Sequence, residues 1–69
     1  MSIGYKLKHY RKNNMLSQME LSKITGIAQT TISDLEKDKY IPKIDTLCKL
    51  VKALDADLVE IIYEGGFYE

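Results

Sequence analysis

Residues 16–36 have the sequence LSQMELSKITGIAQTTISDLE. Ser17 is followed three residues later by Glu20, which is the spacing of a capping box at the start of a helix. A helix is therefore predicted from Leu16 to Thr25. Gly26 ends this helix, because glycine adopts left-handed backbone angles at little cost.

A second helix is predicted after this glycine, from about Ala28 to Lys37. Ile32 and Leu35 lie three residues apart and face inward on it. The opposite face carries small polar side chains, namely Gln29, Thr30, Ser33 and Asp34. Two short helices joined by a tight turn, the second with an exposed polar face, have the geometry that inserts a helix into the major groove of DNA.

Two further helices flank this pair. Apolar residues recur with helical spacing from Ile3 to Asn13, so a helix is predicted there. Residues 38–43 form a loop, and a strongly amphipathic fourth helix begins at Ile44. Its apolar face consists of Leu47, Leu50, Val51 and Leu54.

The end of the chain fits two structures. Asp57 followed by Glu60 is again a capping-box pattern, which predicts a short fifth helix. The alternation of Val59, Ile61 and Tyr63 with their neighbours fits a strand equally well. We favour a helix that leaves room for a short extended segment at the C-terminus, and the fold class is all-α, with four to five short helices.

Composition excludes several classes of protein. A chain of 69 residues forms one small domain. The one cysteine, Cys48, excludes an internal disulfide and is expected to be buried or half-buried on the fourth helix. His9 has no nucleophile pattern near it, so the chain is not expected to be an enzyme. No metal-ligand spacing appears, and no cofactor is expected.

No part of the sequence predicts a membrane or export segment. No run approaches the ~20 apolar residues that span a bilayer. The N-terminus is basic without an apolar core, so it is not a secretory signal. We therefore expect a cytoplasmic protein.

The formal net charge of +0 conceals an uneven distribution. All ten basic residues lie before position 53 together with five acids, so this segment carries a charge of +5. The remaining residues contain five acids and no lysine or arginine, and they carry −5. A basic body and an acidic, apolar tail indicate two surfaces with different partners, although chance segregation in a short chain gives the same pattern.

Linked motifs continue the pattern along most of the chain. They are Leu16-Ser17-Gln18, Gly26-Ile27, Ile32-Ser33 with Glu36, and Pro42. With this spacing the chain resembles the Cro/repressor (Xre-type) helix-turn-helix family over roughly residues 3–58. The resemblance implies a lambda-repressor-like fold that binds double-stranded DNA. It also implies a transcriptional regulator, a repressor that acts as a homodimer on a palindromic operator.

The expected DNA contacts fall into two groups. Base contacts are expected at Gln29, Thr30, Ser33 and Asp34, because glutamine pairs with adenine, threonine packs on thymine and aspartate accepts from cytosine. A merely solvated polar face is the alternative, above all for Asp34, which phosphates repel unless a base amine meets it. Phosphate contacts, which set register without reading sequence, are expected at Arg11, Ser17, Gln18, Lys37, Lys39, Tyr40 and Lys43.

The resemblance also implies a structural ion pair between Arg11 and Glu36 that fixes the second helix of the motif. Each residue could instead be an unpaired surface charge. The sequence departs from the family pattern at three positions. Ala28 lacks the usual capping hydroxyl, Asp38 replaces the usual glycine, and Lys43 replaces the serine that usually begins the fourth helix.

Residues 1–56 are expected to form the DNA-binding domain and residues 57–69 a dimerisation segment of the same domain. We expect this segment to pack against a second copy through Leu58, Val59, Ile61, Ile62, Tyr63, Phe67 and Tyr68. The rival interpretation is that the tail folds back and completes the core of its own chain. The alternative function is a protein-interaction module, antitoxin-like or anti-repressor-binding, whose partner is another polypeptide.

Overall fold

The computed structural model describes residues 2–63, and this part of the chain contains five α-helices and no strand. The helices are α1 (Ile3–Asn13), α2 (Gln18–Thr25), α3 (Gln29–Glu36), α4 (Ile44–Leu54) and α5 (Leu58–Ile62). The all-α prediction is confirmed, and residues 58–62 adopt the helix rather than the strand. Phe67 and Tyr68 lie outside the described residues.

The first helix is capped at both ends by side chains. The Ser2 hydroxyl accepts the Tyr5 backbone N–H at 3.0 Å, which satisfies one of the free donors of the first turn. At the other end, Asn14 follows the last helical residue, and its side-chain amide donates to the Tyr10 carbonyl at 2.8 Å. The Asn14 side-chain amide donates to the carbonyl of Leu54 at 3.0 Å, so the end of α1 is tied to the end of α4.

One hydrophobic core joins all five helices. The helices meet chiefly where α3 packs on α1 and α2, with α4 and α5 completing the enclosure. Ile61 of α5 is fully buried, at 0% exposure. The buried apolar residues are Leu7, Leu21, Ile32, Leu35, Leu47, Leu50, Leu54 and Ile61.

The short fifth helix is anchored to α1. The Asp57 carboxylate accepts the Val59 N–H at 3.0 Å and caps the start of α5. The Lys6 ammonium group donates to the carbonyls of Glu60 and Tyr63 at the end of this helix. These bonds and the burial of Ile61 hold α5 against the body of its own chain.

The beginning of α1 lies directly on the end of α3. A Cβ atom at Gly4 would come within 2.9 Å of the Glu36 carbonyl oxygen and closer still to that of Leu35. Only glycine permits this approach, since backbone atoms cannot move aside as a flexible side chain can. The positive end of the α1 dipole thereby meets the negative end of α3.

Candidate nucleic-acid interface

The turn between α2 and α3 is held by side chains of α2. Gly26 adopts a left-handed conformation with a φ of 76°. The Ser22 hydroxyl donates to the carbonyl of Ile27 at 2.6 Å, and the Thr25 hydroxyl accepts the Ile27 N–H at 3.1 Å. The glycine was predicted from its sequence position, but these two hydroxyl groups were not. Their bonds fix the direction in which α3 leaves the turn.

The predicted capping box at the start of α2 is present. The Ser17 hydroxyl accepts the Glu20 N–H at 3.0 Å, and the Glu20 carboxylate accepts the Ser17 N–H at 2.8 Å. The hydrogen bond to the Ser17 backbone lowers the pKa of Glu20 most, and the hydrogen bond to the Ser17 side chain lowers it further. The first turn of α2 is therefore formed before any ligand is bound, with remaining backbone N–H groups that suit a phosphate.

We call α3 the recognition helix and name its outer side, formed by Gln29, Thr30, Ser33 and Asp34, the recognition face. Gln29 and Thr30 are exposed, and Ser33 and Asp34 are half-buried. Ile32 and Leu35, on the opposite side, are buried. Ala28 precedes the helix without a capping side-chain bond, so the backbone N–H groups of the first turn lack that partner.

Arg11, Gln18 and Glu36 form a hydrogen-bond network that joins α1, α2 and α3. The Arg11 Nε atom lies 2.7 Å from Glu36 Oε2 and Nη2 lies 3.0 Å from Oε1, a two-pronged contact. The Gln18 amide donates to the same Oε1 at 3.0 Å, and Arg11 Nη1 donates to the carbonyl of Leu16 at 2.7 Å. The predicted ion pair is confirmed, and Gln18 is a third member that was predicted only as a phosphate contact.

The ion pair of this network is almost closed to solvent. The side chains of Arg11 and Glu36 are 9% and 4% exposed. The bond to Glu36 raises the pKa of Arg11, so the guanidinium group keeps its charge. Since all three guanidinium nitrogens donate within the protein, a phosphate contact by Arg11 would use one of its remaining N–H groups, and that contact stays a prediction.

The loop after the recognition helix folds back over its last turn. The Lys39 N–H donates to the carbonyl of Asp34 and the Asp38 N–H to that of Leu35, each at 3.1 Å, which together form a Schellman motif. Asp38 takes the left-handed position of this motif with a φ of 58°. Its carboxylate also accepts the Gly4 N–H at 2.9 Å. The aspartate that replaces the usual glycine therefore supplies a bond that glycine lacks.

Five of the remaining predicted phosphate contacts are accessible to solvent. Lys37, Lys39 and Lys43 are exposed, as are Ser17 and Tyr40. The Lys39 ammonium group lies 3.4 Å from the Asp34 carboxylate, so the structure joins a predicted phosphate contact to a predicted base contact. This ion pair was not predicted from the sequence.

The structure corrects the predicted dimer seam at Ile61. This side chain is fully buried in the core of its own chain and is not available to a second copy. Leu58 is half-buried and also packs against that core. Val59, Ile62 and Tyr63 remain exposed on the outer side of α5, at 57%, 43% and 38%. The rival fold-back interpretation thus describes part of the tail.

The structure also corrects the expectation for Cys48, which is exposed on α4 rather than buried. The residue is next to Leu47 in the chain, but it lies on the outer side of the helix. No helix between residues 2 and 63 is long and apolar enough to cross a membrane. In the same range, no group of three or more His, Cys, Asp or Glu residues is placed to hold a metal ion.

Comparison with known proteins places this geometry in a family. Residues 7–61 match the family model described as Helix-turn-helix. The chain belongs to the Cro/repressor (Xre-type) helix-turn-helix family. Its structure is similar to that of the biofilm master regulator SinR in complex with DNA, with a TM-score of 0.84 and 31% identity over 88% of this chain and 98% of that one. SinR in its complex with SinI has a TM-score of 0.85, 32% identity, and coverage of 90% and 61%.

Two family members from Bacillus phage phi105 are similar in sequence. The ImmF control region 10 kDa protein is 31% identical over 94% of this chain and 80% of its own length. The immunity repressor protein is 30% identical over 93% of this chain, which spans only 44% of that repressor. The similarity therefore covers the whole helix-turn-helix unit but less than half of the phage repressor.

Proposed function

We propose that this protein is a sequence-specific DNA-binding regulator of transcription, a repressor that acts as a homodimer. The observation that carries this proposal is the recognition face: four polar side chains project from a helix whose other side is buried and whose orientation is fixed by the Arg11–Gln18–Glu36 network. Gln29 and Thr30 can reach base edges in a major groove. The DNA complex of SinR, a family member with the same fold, supports this proposal.

Phosphate binding supplies the affinity that is independent of sequence. The lysines of the loop after α3 are exposed, and Lys39 lies beside the recognition face, where it can approach the DNA backbone. Each phosphate contact releases counterions, so each contact contributes about −0.9 to the slope of log affinity against log salt concentration. Binding that does not depend on salt would contradict the proposal.

Alanine at position 29 tests whether the recognition face reads sequence. Gln29→Ala is expected to weaken binding to a duplex selected from a random library by about 1–3 kcal/mol, because the bidentate base contact is lost. Its binding to random DNA should change little. Lys43→Ala is the control: it should weaken all sequences alike and reduce the salt slope by about one unit. Competition titrations at several salt concentrations measure both. Equal losses on selected and random DNA for Gln29→Ala would contradict a base contact.

We infer that the exposed side of α5 pairs two copies of the chain. Val59 and Ile62 are spaced three residues apart, so they share one face of α5, and the exposed Tyr63 follows directly after the helix. Lys6 and the buried Ile61 fix this helix on the body, so the face is presented in one orientation. Two copies related by a two-fold axis would set their recognition helices on half-sites about one turn of DNA apart.

Charge placed in this face tests the dimer. Ile62→Asp is expected to give a folded monomer at micromolar concentration, with the melting temperature that the parent chain has when it is diluted to a monomer, because residue 62 is not part of the core. Ile24→Asp is the matched control, since Ile24 is also exposed, at 58%, but lies on α2. Sedimentation equilibrium measures the mass of each variant. If Ile62→Asp remains dimeric, or the parent chain is monomeric, the proposed pairing is wrong.

A protein partner is the second candidate for this face. Exposed apolar side chains on a fixed helix suit a partner helix as well as a second copy. SinR, which shares the fold, has also been solved in a complex with SinI. A parent chain that is monomeric in sedimentation would favour this candidate over the homodimer.

A further inference from the structure

Asp34 is the charged member of the recognition face, and it is paired. Its carboxylate lies 3.4 Å from the Lys39 ammonium group, with the two side chains 36% and 59% exposed. The Schellman motif explains why they meet: the Lys39 N–H donates to the Asp34 carbonyl, so the backbone of residue 39 is fixed above the last turn of α3. The Lys39 side chain therefore leaves the backbone close to Asp34.

Next to DNA, this lysine has two competing anionic partners. A phosphate and the Asp34 carboxylate both accept from the same ammonium group, and a compact point charge cannot serve both fully. The pair itself is exposed, so its own contribution to the free energy of folding is small. The exchange of Lys39 between the carboxylate and a phosphate therefore costs little free energy in either direction.

We propose that Asp34 and Lys39 form a specificity switch, which rests on the proposed DNA binding. On DNA that offers a cytosine amino group to Asp34, the carboxylate turns to the base and releases Lys39 to a phosphate. Where guanine or thymine faces Asp34, the base presents only acceptors in the major groove, so the carboxylate has no base donor, keeps Lys39, and removes one phosphate contact. The pair thus weakens binding to random DNA and strengthens discrimination, a role that neither residue has alone.

The test is a double-mutant cycle on a random-sequence duplex of fixed length. The variants are Asp34→Ala, Lys39→Ala and the double variant. Asp34→Ala should steepen the salt slope by about 0.9 and raise affinity about eightfold near 0.1 M salt, because Lys39 gains a phosphate. Lys39→Ala should change little in the parent chain but remove the whole gain in the Asp34→Ala chain.

Lys37→Ala is the matched control. Lys37 is an exposed lysine of the same loop and has no ion pair within residues 2–63. Lys37→Ala should lower the affinity by the same factor in the parent chain and in the Asp34→Ala chain. Removal of any negative charge raises affinity for DNA, so the coupling between positions 34 and 39 is the deciding quantity.

Three outcomes separate the hypotheses. Coupling at Lys39 with none at Lys37 supports the switch. Equal effects of Lys39→Ala in both backgrounds would overturn it, even if all variants bind DNA. A parent chain without salt-dependent binding would refute the proposed function itself. Fluorescence anisotropy gives the affinities, and a melting curve for each variant verifies that it is folded.

Discussion

Glu36→Ala is expected to lower the free energy of unfolding by about 3–5 kcal/mol, because it leaves a buried guanidinium group without its counter-charge. The Arg11 side chain is 9% exposed and donates twice to Glu36, and Gln18 loses its acceptor as well. A domain of this size has a total stability of only about 3–10 kcal/mol, so the variant is expected to be largely unfolded at moderate temperature. Urea denaturation followed by circular dichroism measures the loss.

Two further variants keep this prediction testable if the alanine variant does not fold. Glu36→Gln retains the shape and one acceptor oxygen, so a smaller loss is expected. Asp34→Ala breaks the exposed pair on the same helix and should change the free energy of unfolding by less than about 1 kcal/mol. A Glu36→Ala chain that is as stable as the Asp34→Ala chain would show that the network contributes nothing to the fold.

Ile61→Ala is expected to destabilise the fold by about 2–5 kcal/mol, although it changes one residue of a five-residue helix. Ile61 is fully buried against α1 and the rest of the core, so truncation leaves a cavity. Ile62→Ala is the matched control: the neighbouring side chain is 43% exposed, and a loss below about 0.5 kcal/mol is expected at concentrations where the chain is monomeric.

Protein concentration distinguishes a core residue from a dimer residue. Loss of a core contact lowers the unfolding midpoint by the same amount at every concentration, whereas loss of a dimer contact disappears on dilution. Thermal melts over a hundredfold range of concentration therefore test the assignment of Ile61. Equal losses for positions 61 and 62 would mean that α5 is not oriented as described.

The local signals in the sequence were sufficient for the helices. Ser17 and Glu20 predict the start of α2 because a capping box needs only two residues at fixed spacing. Gly26 predicts its end for an equally local reason. The departures at Ala28 and Asp38 were visible as well, but only the structure shows that Asp38 binds Gly4.

Contacts between distant positions were out of reach. The bond from Gly4 to Asp38 joins residues 34 positions apart, and no local pattern encodes it. The fifth helix illustrates a second limit. Ile61 and Ile62 are adjacent and identical in character, so in so short a helix the apolar pattern does not define which one faces the core. Tertiary packing decides, and it selects Ile61.

The recognition helix is held at both ends in the free chain. Ser22 and Thr25 fix the turn before it, while Glu36 and the Asp38–Gly4 bond fix its far end. A DNA-binding element that is already in place has little ordering entropy to lose when a complex forms. The association rate is then limited by diffusion, and the attraction between the basic loop and phosphate increases it. Strong and weak operators are consequently expected to have similar association rates and to differ in the dissociation rate of the protein.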